Sequence, residues 1–145
     1  MSALSDVVEQ ALPRLRAVSE EAAFRKPAPE IWRAKQVLGH LIDSRVDNYA
    51  RFVRASAENG LALPGYDQNV WVAAEGYQQR SWTELVTLWA AYQTQLAHVI
   101  GRLTPEQRAH TLSIGGEAVT LGFVTTDDVR HQLHHLAQVW ERAEG

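Results

Sequence analysis

Four stretches of this chain carry apolar residues at steps of three and four, the repeat of one face of an α-helix, and that repeat points to a bundle of amphipathic helices. Val8, Leu12, Leu15, Val18 and Ala22 form the first stripe, from Ser5 to about Phe24. Pro13 interrupts it; lacking an amide proton for the bond back to residue 9, it either kinks one helix or starts a second, longer piece. The second stripe, from about Arg33 to Ala57, holds Leu38, Leu41, Ile42, Tyr49, Phe52 and Val53, and Asn59-Gly60 closes it. The third opens on Ser81 with Glu84 three residues later, a reciprocal capping pair, and continues through Leu85, Leu88, Trp89, Tyr92, Leu96, Val99 and Ile100. Thr125 and Asp128 form a weaker capping pair ahead of the fourth, from about Asp127 to Arg142, with Val129, Leu133, Leu136 and Trp140.

Between these stripes, residues 60–80 show no sustained period and read as a long ordered loop with a short helix around Val70–Ala74. Thr104-Pro105 has the order of a further helical turn, and the segment from Thr111 to Leu121 reads as one hairpin turning at Gly115-Gly116. The expected fold is all-α: a four-helix bundle in a single domain, 1–145, with a long loop between the second and third helices and a small hairpin before the fourth. At 145 residues such a domain buries enough surface to need no disulfide or structural metal.

Composition narrows the chemistry. Cysteine is absent, so thiol nucleophiles, cysteine zinc sites and iron–sulfur clusters are excluded together, and any metal must be held by His, Asp or Glu. A formal charge of −3, with acids and bases spread along the chain, leaves no basic footprint for nucleic acid. No run approaches the eighteen apolar residues of a membrane span, and Met1-Ser-Ala-Leu-Ser-Asp lacks the layout of a signal peptide, so a cytoplasmic protein without a membrane partner is expected.

Six histidines stand at 40, 98, 110, 131, 134 and 135. His131 and His135, four apart on a helix, share one side and could ligate one ion, with His40 as a third nitrogen from a neighbouring helix. The spacing alone is weak, because six histidines in a chain this long give such a pair by chance about one time in five. On the helical wheel the three rings point away from the apolar stripes, which suits surface histidines and suits equally a polar cleft. Gln138 and Arg142 share the His131/His135 side; Asp43, Asp47 and Arg51 lie on or near the His40 side.

The stretch Trp32-Arg-Ala-Lys-Gln-Val-Leu-Gly-His-Leu-Ile-Asp-Ser, the loop Leu63-Pro-Gly-Tyr-Asp-Gln and the tail from Leu121 to Val139 together resemble the DinB/YfiT-like superfamily, in the same order and over almost the whole chain. The resemblance implies a four-helix bundle and a divalent ion held by His40, His131 and His135, with His134 outside the set. It also implies chemistry seen in several relatives, transfer or isomerisation of low-molecular-weight thiol conjugates, although many relatives have no established reaction. One departure is that Arg33 stands where relatives often carry the serine that caps the second helix.

Three neutral imidazoles would leave a divalent ion, zinc or nickel, its full charge, enough to bring a bound water to a pKa near ~7 or to accept a thiolate. Because protonated imidazole cannot ligate, the metal is expected to be lost below about pH 6. Asp43, one turn past His40, is placed to orient that ring or a bound water, or else is an ordinary solvated carboxylate. Tyr66, Asp67 and Gln68 are placed to wall a pocket, or else form a plain turn after Pro64-Gly65. The tryptophans, Trp71 excepted, follow the apolar stripes as packing anchors. The expected protein is a metal-dependent thiol S-transferase or hydrolase acting on a small molecule, paired as a homodimer; the alternative is a non-catalytic metal- or ligand-binding bundle.

Overall fold

In the computed structural model, which describes residues 3–144, four long helices carry the fold: α1 (Ala3–Ala17), α3 (Ala34–Ala57), α5 (Trp82–Gly101) and α7 (Leu121–Glu144). The domain reading 1–145 therefore extends to Met1, Ser2 and Gly145, which lie outside the described residues. Helix α3 packs against both α5 and α7, and α1 closes the bundle against α5 and α7. Pro13 sits inside α1, and the break comes later, where Ser19 caps α2 (Glu20–Phe24) by accepting from the Ala22 amide at 3.1 Å. Arg33 offers no side-chain oxygen at the start of α3; Gln36 compensates by accepting the Arg33 amide proton at 2.9 Å.

The loop expected over 60–80 is more structured than its sequence suggests. It contains strand β1 (Leu61–Leu63), helix α4 (Gln68–Glu75) and a turn of 3-10 helix at Tyr77–Gln79. After α5, the short α6 (Pro105–Arg108) leads into β2 (Thr111–Ile114) and β3 (Glu117–Thr120), paired antiparallel across Gly115 and Gly116, whose φ angles of 74° and 114° favour glycine. The hairpin is not alone: β1 pairs parallel to β2, with Leu61 opposite Leu112, giving a sheet of three strands. Three residues with no alternating pattern carry no strand signal of their own, so this pairing is visible only in three dimensions.

Helix α7 begins at Leu121, six residues before the expected start. Thr120 takes over as the cap, its hydroxyl accepting from the Phe123 amide at 3.0 Å, while Thr125 bonds back to the Gly122 carbonyl. Asp127 and Asp128 thus lie inside the helix. Its buried face is Val124, Asp128, Gln132, Leu136, Val139 and Ala143; Leu133, expected on the stripe, is 53% exposed, as Val53 on α3 is at 45%. Polar residues fill the interior in their place.

Those polar residues are paired across the helices. Arg45 on α3, fully buried, pairs with both carboxylate oxygens of Asp128 at 2.9 and 2.6 Å and donates from Nε to Gln93 of α5 at 2.8 Å. Asn48 donates to Asp128 at 3.0 Å, and the Trp89 indole donates to Gln132 at 3.2 Å. A buried charge needs such partners, and here they link α3, α5 and α7. Apolar clusters flank these pairs: one around Leu38, Leu41, Leu85 and Trp89, the other around Phe52, Leu96, Leu112 and Leu121 beside the sheet. Among the described residues no helix is long and apolar enough to cross a membrane.

Candidate metal centre

His40 projects from the second turn of α3 toward α7, where His131 and His135 stand one turn apart. The ring centroids of His131 and His135 are 4.5 Å apart, those of His40 and His135 4.7 Å, and those of His40 and His131 5.4 Å. One nitrogen from each ring lies within 4.8 Å of the other two. A zinc–nitrogen bond is about 2.0–2.1 Å, so three nitrogens sharing an ion stand within about 4 Å of one another.

Whether these residues suit a metal is decided by what else holds them. His40 is 2% exposed, yet neither of its ring nitrogens has a hydrogen-bond partner. Buried polar atoms without partners are rare, and one of these two nitrogens lies with a nitrogen of each neighbouring imidazole in a set that a cation would satisfy. Burial foremost, then the neighbouring His135 and His131, lowers His40 to about 4; burial and His135 do the same to His131. His135 is also lowered, by burial first. All three rings are therefore neutral at pH 7, the form that ligates.

Hydrogen bonds fix the ring orientations. His135 Nδ1 lies 2.7 Å from Gln138 Oε1, and since a carbonyl oxygen only accepts, that nitrogen carries the proton and Nε2 keeps its lone pair. His131 Nδ1 is 3.5 Å from the Ser44 hydroxyl, a weaker tether. Trp32 walls His40 at 5.5 Å between centroids, and the exposed His134 stacks edge-on against His135 from outside, apart from the three. The nitrogen-only donor set fits zinc or another borderline divalent ion.

A model of the DinB superfamily matches residues 3–139. The chain belongs to the DinB superfamily. Among solved structures it is similar to YfiT from Bacillus subtilis, described as a probable metal-dependent hydrolase with an unusual four-helix bundle topology. The two share 22% identity, with a TM-score of 0.85 over 97% of this chain and 82% of that one, a likeness that shows the fold. No curated protein matches the chain. The sequence resemblance to this superfamily is thus borne out, as is the four-helix bundle it implied.

In this DinB protein the remaining candidates part company. A cavity of about 400 Å³ beside the histidines is lined by His40, His131, Ser44, Tyr66, Gln68 and Phe123, among others, so Tyr66 and Gln68 are cavity walls. Burial pushes the Tyr66 phenol up to about 12, partly offset by a hydrogen bond with Ser44, so it stays protonated. Asp67 is not a wall: its side chain caps α4, accepting from the Asn69 and Val70 amides at 3.0 and 3.3 Å. Asp43 is neither solvated nor bonded to His40. It is 2% exposed and accepts from the Tyr77 hydroxyl at 2.6 Å, and burial raises its carboxyl to about 6. Ser44 and the Arg45–Asp128 pair were not singled out as support for the site from sequence, and Gln138 was placed on the histidine side without its bond to His135. Gln138 had a signal, three residues after His135 on the same face; Arg45 and Asp128 had none.

Proposed function

We propose that this DinB protein is a divalent-metal-dependent enzyme of the hydrolase or thiol S-transferase type that acts on a small molecule. The observation that carries this reading is the buried His40 ring, free of hydrogen bonds, with one nitrogen within 4.8 Å of a nitrogen on each of two other imidazoles at the edge of a cavity of about 400 Å³. Bound there, zinc or nickel would supply Lewis-acid chemistry, polarising a substrate carbonyl or acidifying a water or thiol. The chain's own residues do the rest. Gln138 holds His135 in one tautomer, and the neutral Tyr66 hydroxyl donates a hydrogen bond to charge developing on a substrate oxygen.

YfiT's description as a probable metal-dependent hydrolase supports the hydrolytic branch. The transferase branch takes a low-molecular-weight thiol as co-substrate and so requires a reducing compartment, which the cytoplasm provides. Pairing into a homodimer would cover the exposed Phe123 or Leu133 of α7. Protein purified without a histidine tag is expected to carry about one ion per chain, and His135→Ala to carry none. Metal-loaded protein is then incubated with esters and amides, and with thiols plus electrophiles. Turnover that His40→Ala lacks supports the proposal, and a metal-free wild type refutes it. A second reading, a non-catalytic metal- or ligand-binding bundle, draws on the fact that no carboxylate joins the three rings among the described residues. Metal without turnover across both panels selects it.

A further inference from the structure

The three histidines stand between two clefts, and the clefts differ in charge. The larger cavity contains one arginine, Arg51, whose guanidinium is matched by Asp47 at 2.6 Å and by the Pro64 carbonyl at 3.0 Å. Glu117 and Asp127 also line it, so it presents an anion with no uncompensated cation. The second cleft, of about 270 Å³, lies where the approach to α3, the start of α4 and the last turns of α7 meet, and Trp32, Asn69, His135, Gln138 and Arg142 form its walls. Glu30 stands on its rim, exposed, yet Arg142 pairs with none of the described carboxylates.

Arg142 is partly buried, so its charge is less screened than that of a fully exposed arginine. His135, Gln138 and Arg142 fall on one face of α7, at i, i+3 and i+7. Long helical side chains lean back toward the N-terminus, which turns Arg142 toward Gln138 and His135. Gln138 commits its oxygen to His135, and its amide nitrogen is left as a donor. The first amides of α4, on the opposite wall, are taken by Asp67. The one cationic donor for an anion among these walls is Arg142, with the Gln138 amide beside it, the side-chain amides of Gln68 and Asn69 opposite and the Trp32 ring as a further wall.

We infer that this cleft is a carboxylate subsite, in which Arg142, assisted by the Gln138 amide, anchors the acidic end of a small substrate whose reacting group lies at His40, His131 and His135. At 1.5 Å of rise per residue the Cα atoms of His135 and Arg142 are about 10 Å apart along the axis, a span that Arg142 shortens by leaning back toward His135, so roughly four to six bonds separate carboxylate and reacting group. The position of the reacting end rests on the metal-enzyme reading above; the anchor is tested separately from it.

Glutarate is the probe and glutaramide its uncharged control. Binding is followed by NMR through the Trp32 indole and Gln138 amide signals, with metal content measured in every sample. Glutarate is expected to shift both signals, and glutaramide to bind at least about tenfold more weakly. Arg142→Gln is expected to lose about tenfold or more in glutarate affinity, the scale of a charge-assisted hydrogen bond, while keeping its metal and its remaining spectrum. Arg142→Lys should recover part of the loss, because it restores the charge without the fork. Glutarate bound equally well by Arg142→Gln and wild type, or shifts confined to the Arg51 cavity, would overturn the subsite. His131→Ala separates the two readings. Arg142-dependent binding that survives in this metal-free variant supports the subsite on its own, and binding that vanishes there but ignores Arg142→Gln overturns it. A wild type that takes up no metal yet binds glutarate through Arg142 removes the metal reading and keeps the anchor.

Discussion

Acid should destabilise the metal-free protein through its histidines, at a pH where ordinary carboxylates are still ionised. His40 and His131 are each held at about 4, against 6.5 in an unfolded chain. Between those values the unfolded chain binds protons that the folded one refuses. Above pH 6.5 the rings cost nothing; as the pH falls stability is lost, and below about 4 the loss is complete. At pH 5 each ring costs roughly 2 kcal/mol relative to pH 7, and the pair roughly 3–4 kcal/mol. Asp43 works the other way. Its carboxyl is raised from 3.8 to about 6, so the folded state gains a proton first and recovers about 1 kcal/mol over the same interval. A net loss of roughly 2–3 kcal/mol is a large fraction of the stability of a domain this size. Urea unfolding of chelator-treated protein at pH 7, 6 and 5 reads it directly, beside a His40→Gln/His131→Gln double variant. The wild type should weaken toward pH 5 while the double variant stays level or gains slightly through Asp43. A metal-free wild type with a constant midpoint, or a double variant that weakens equally, refutes the buried neutral rings. The same lowering implies that His40 and His131 resist protons to a lower pH than the value of about 6 expected from the sequence for metal release.

Removing one partner of the buried pair, as in Asp128→Ala, should cost about 3–5 kcal/mol in chemical denaturation, because Arg45 is left charged and alone in the interior. The double change Arg45→Met/Asp128→Leu should recover most of that stability yet bind metal more weakly in a chelator competition; wild-type affinity would show that the pair has no part in the site. Gly39→Ala should cost about 1–3 kcal/mol in melting experiments, since a Cβ there falls inside van der Waals contact with the Tyr77 ring, and an unchanged melt counts against that close seating. Gln138→Leu should lower metal affinity about 10–100-fold by freeing the His135 ring, and unchanged affinity would refute its orienting role.

What could be read from the chain follows from where its signals are local. The 3.6-residue period located four helices, and the pair His131 and His135 needed only that period to face one way. Their meeting with His40 was left open by the pattern and implied by the resemblance, because convergence of α3 and α7 is a property of packing. The errors share one cause. Leu133 and Val53 were assigned inward because they are apolar, whereas Asp128 and Gln132 took the interior of α7 by pairing with residues on other helices. The start of α7 was placed at the acidic pair for the same reason: Asp127 and Asp128 look like the first turn of a helix, and the Arg45 that buries Asp128 lies 83 positions away. Strand β1 was invisible because its partner is 51 residues downstream.

That long-range pair also bears on why the histidines meet. A bundle packed through Leu, Val and Ala has shallow preferences for register, since sliding one helix by a turn, about 5.4 Å, exchanges one set of apolar contacts for another. A buried ion pair has no such tolerance: the slip would leave a guanidinium and a carboxylate unpaired in the interior, at a cost of several kcal/mol. Arg45 lies five residues after His40, and Asp128 three before His131, so the register that closes the pair also brings the three rings to 4.5–5.4 Å. Apolar residues of similar volume would hold α3 and α7 together about as firmly, but with less demand on where along each other they sit. The ion pair thus contributes less to holding the helices together than to choosing the one alignment in which three neutral imidazoles can share an ion.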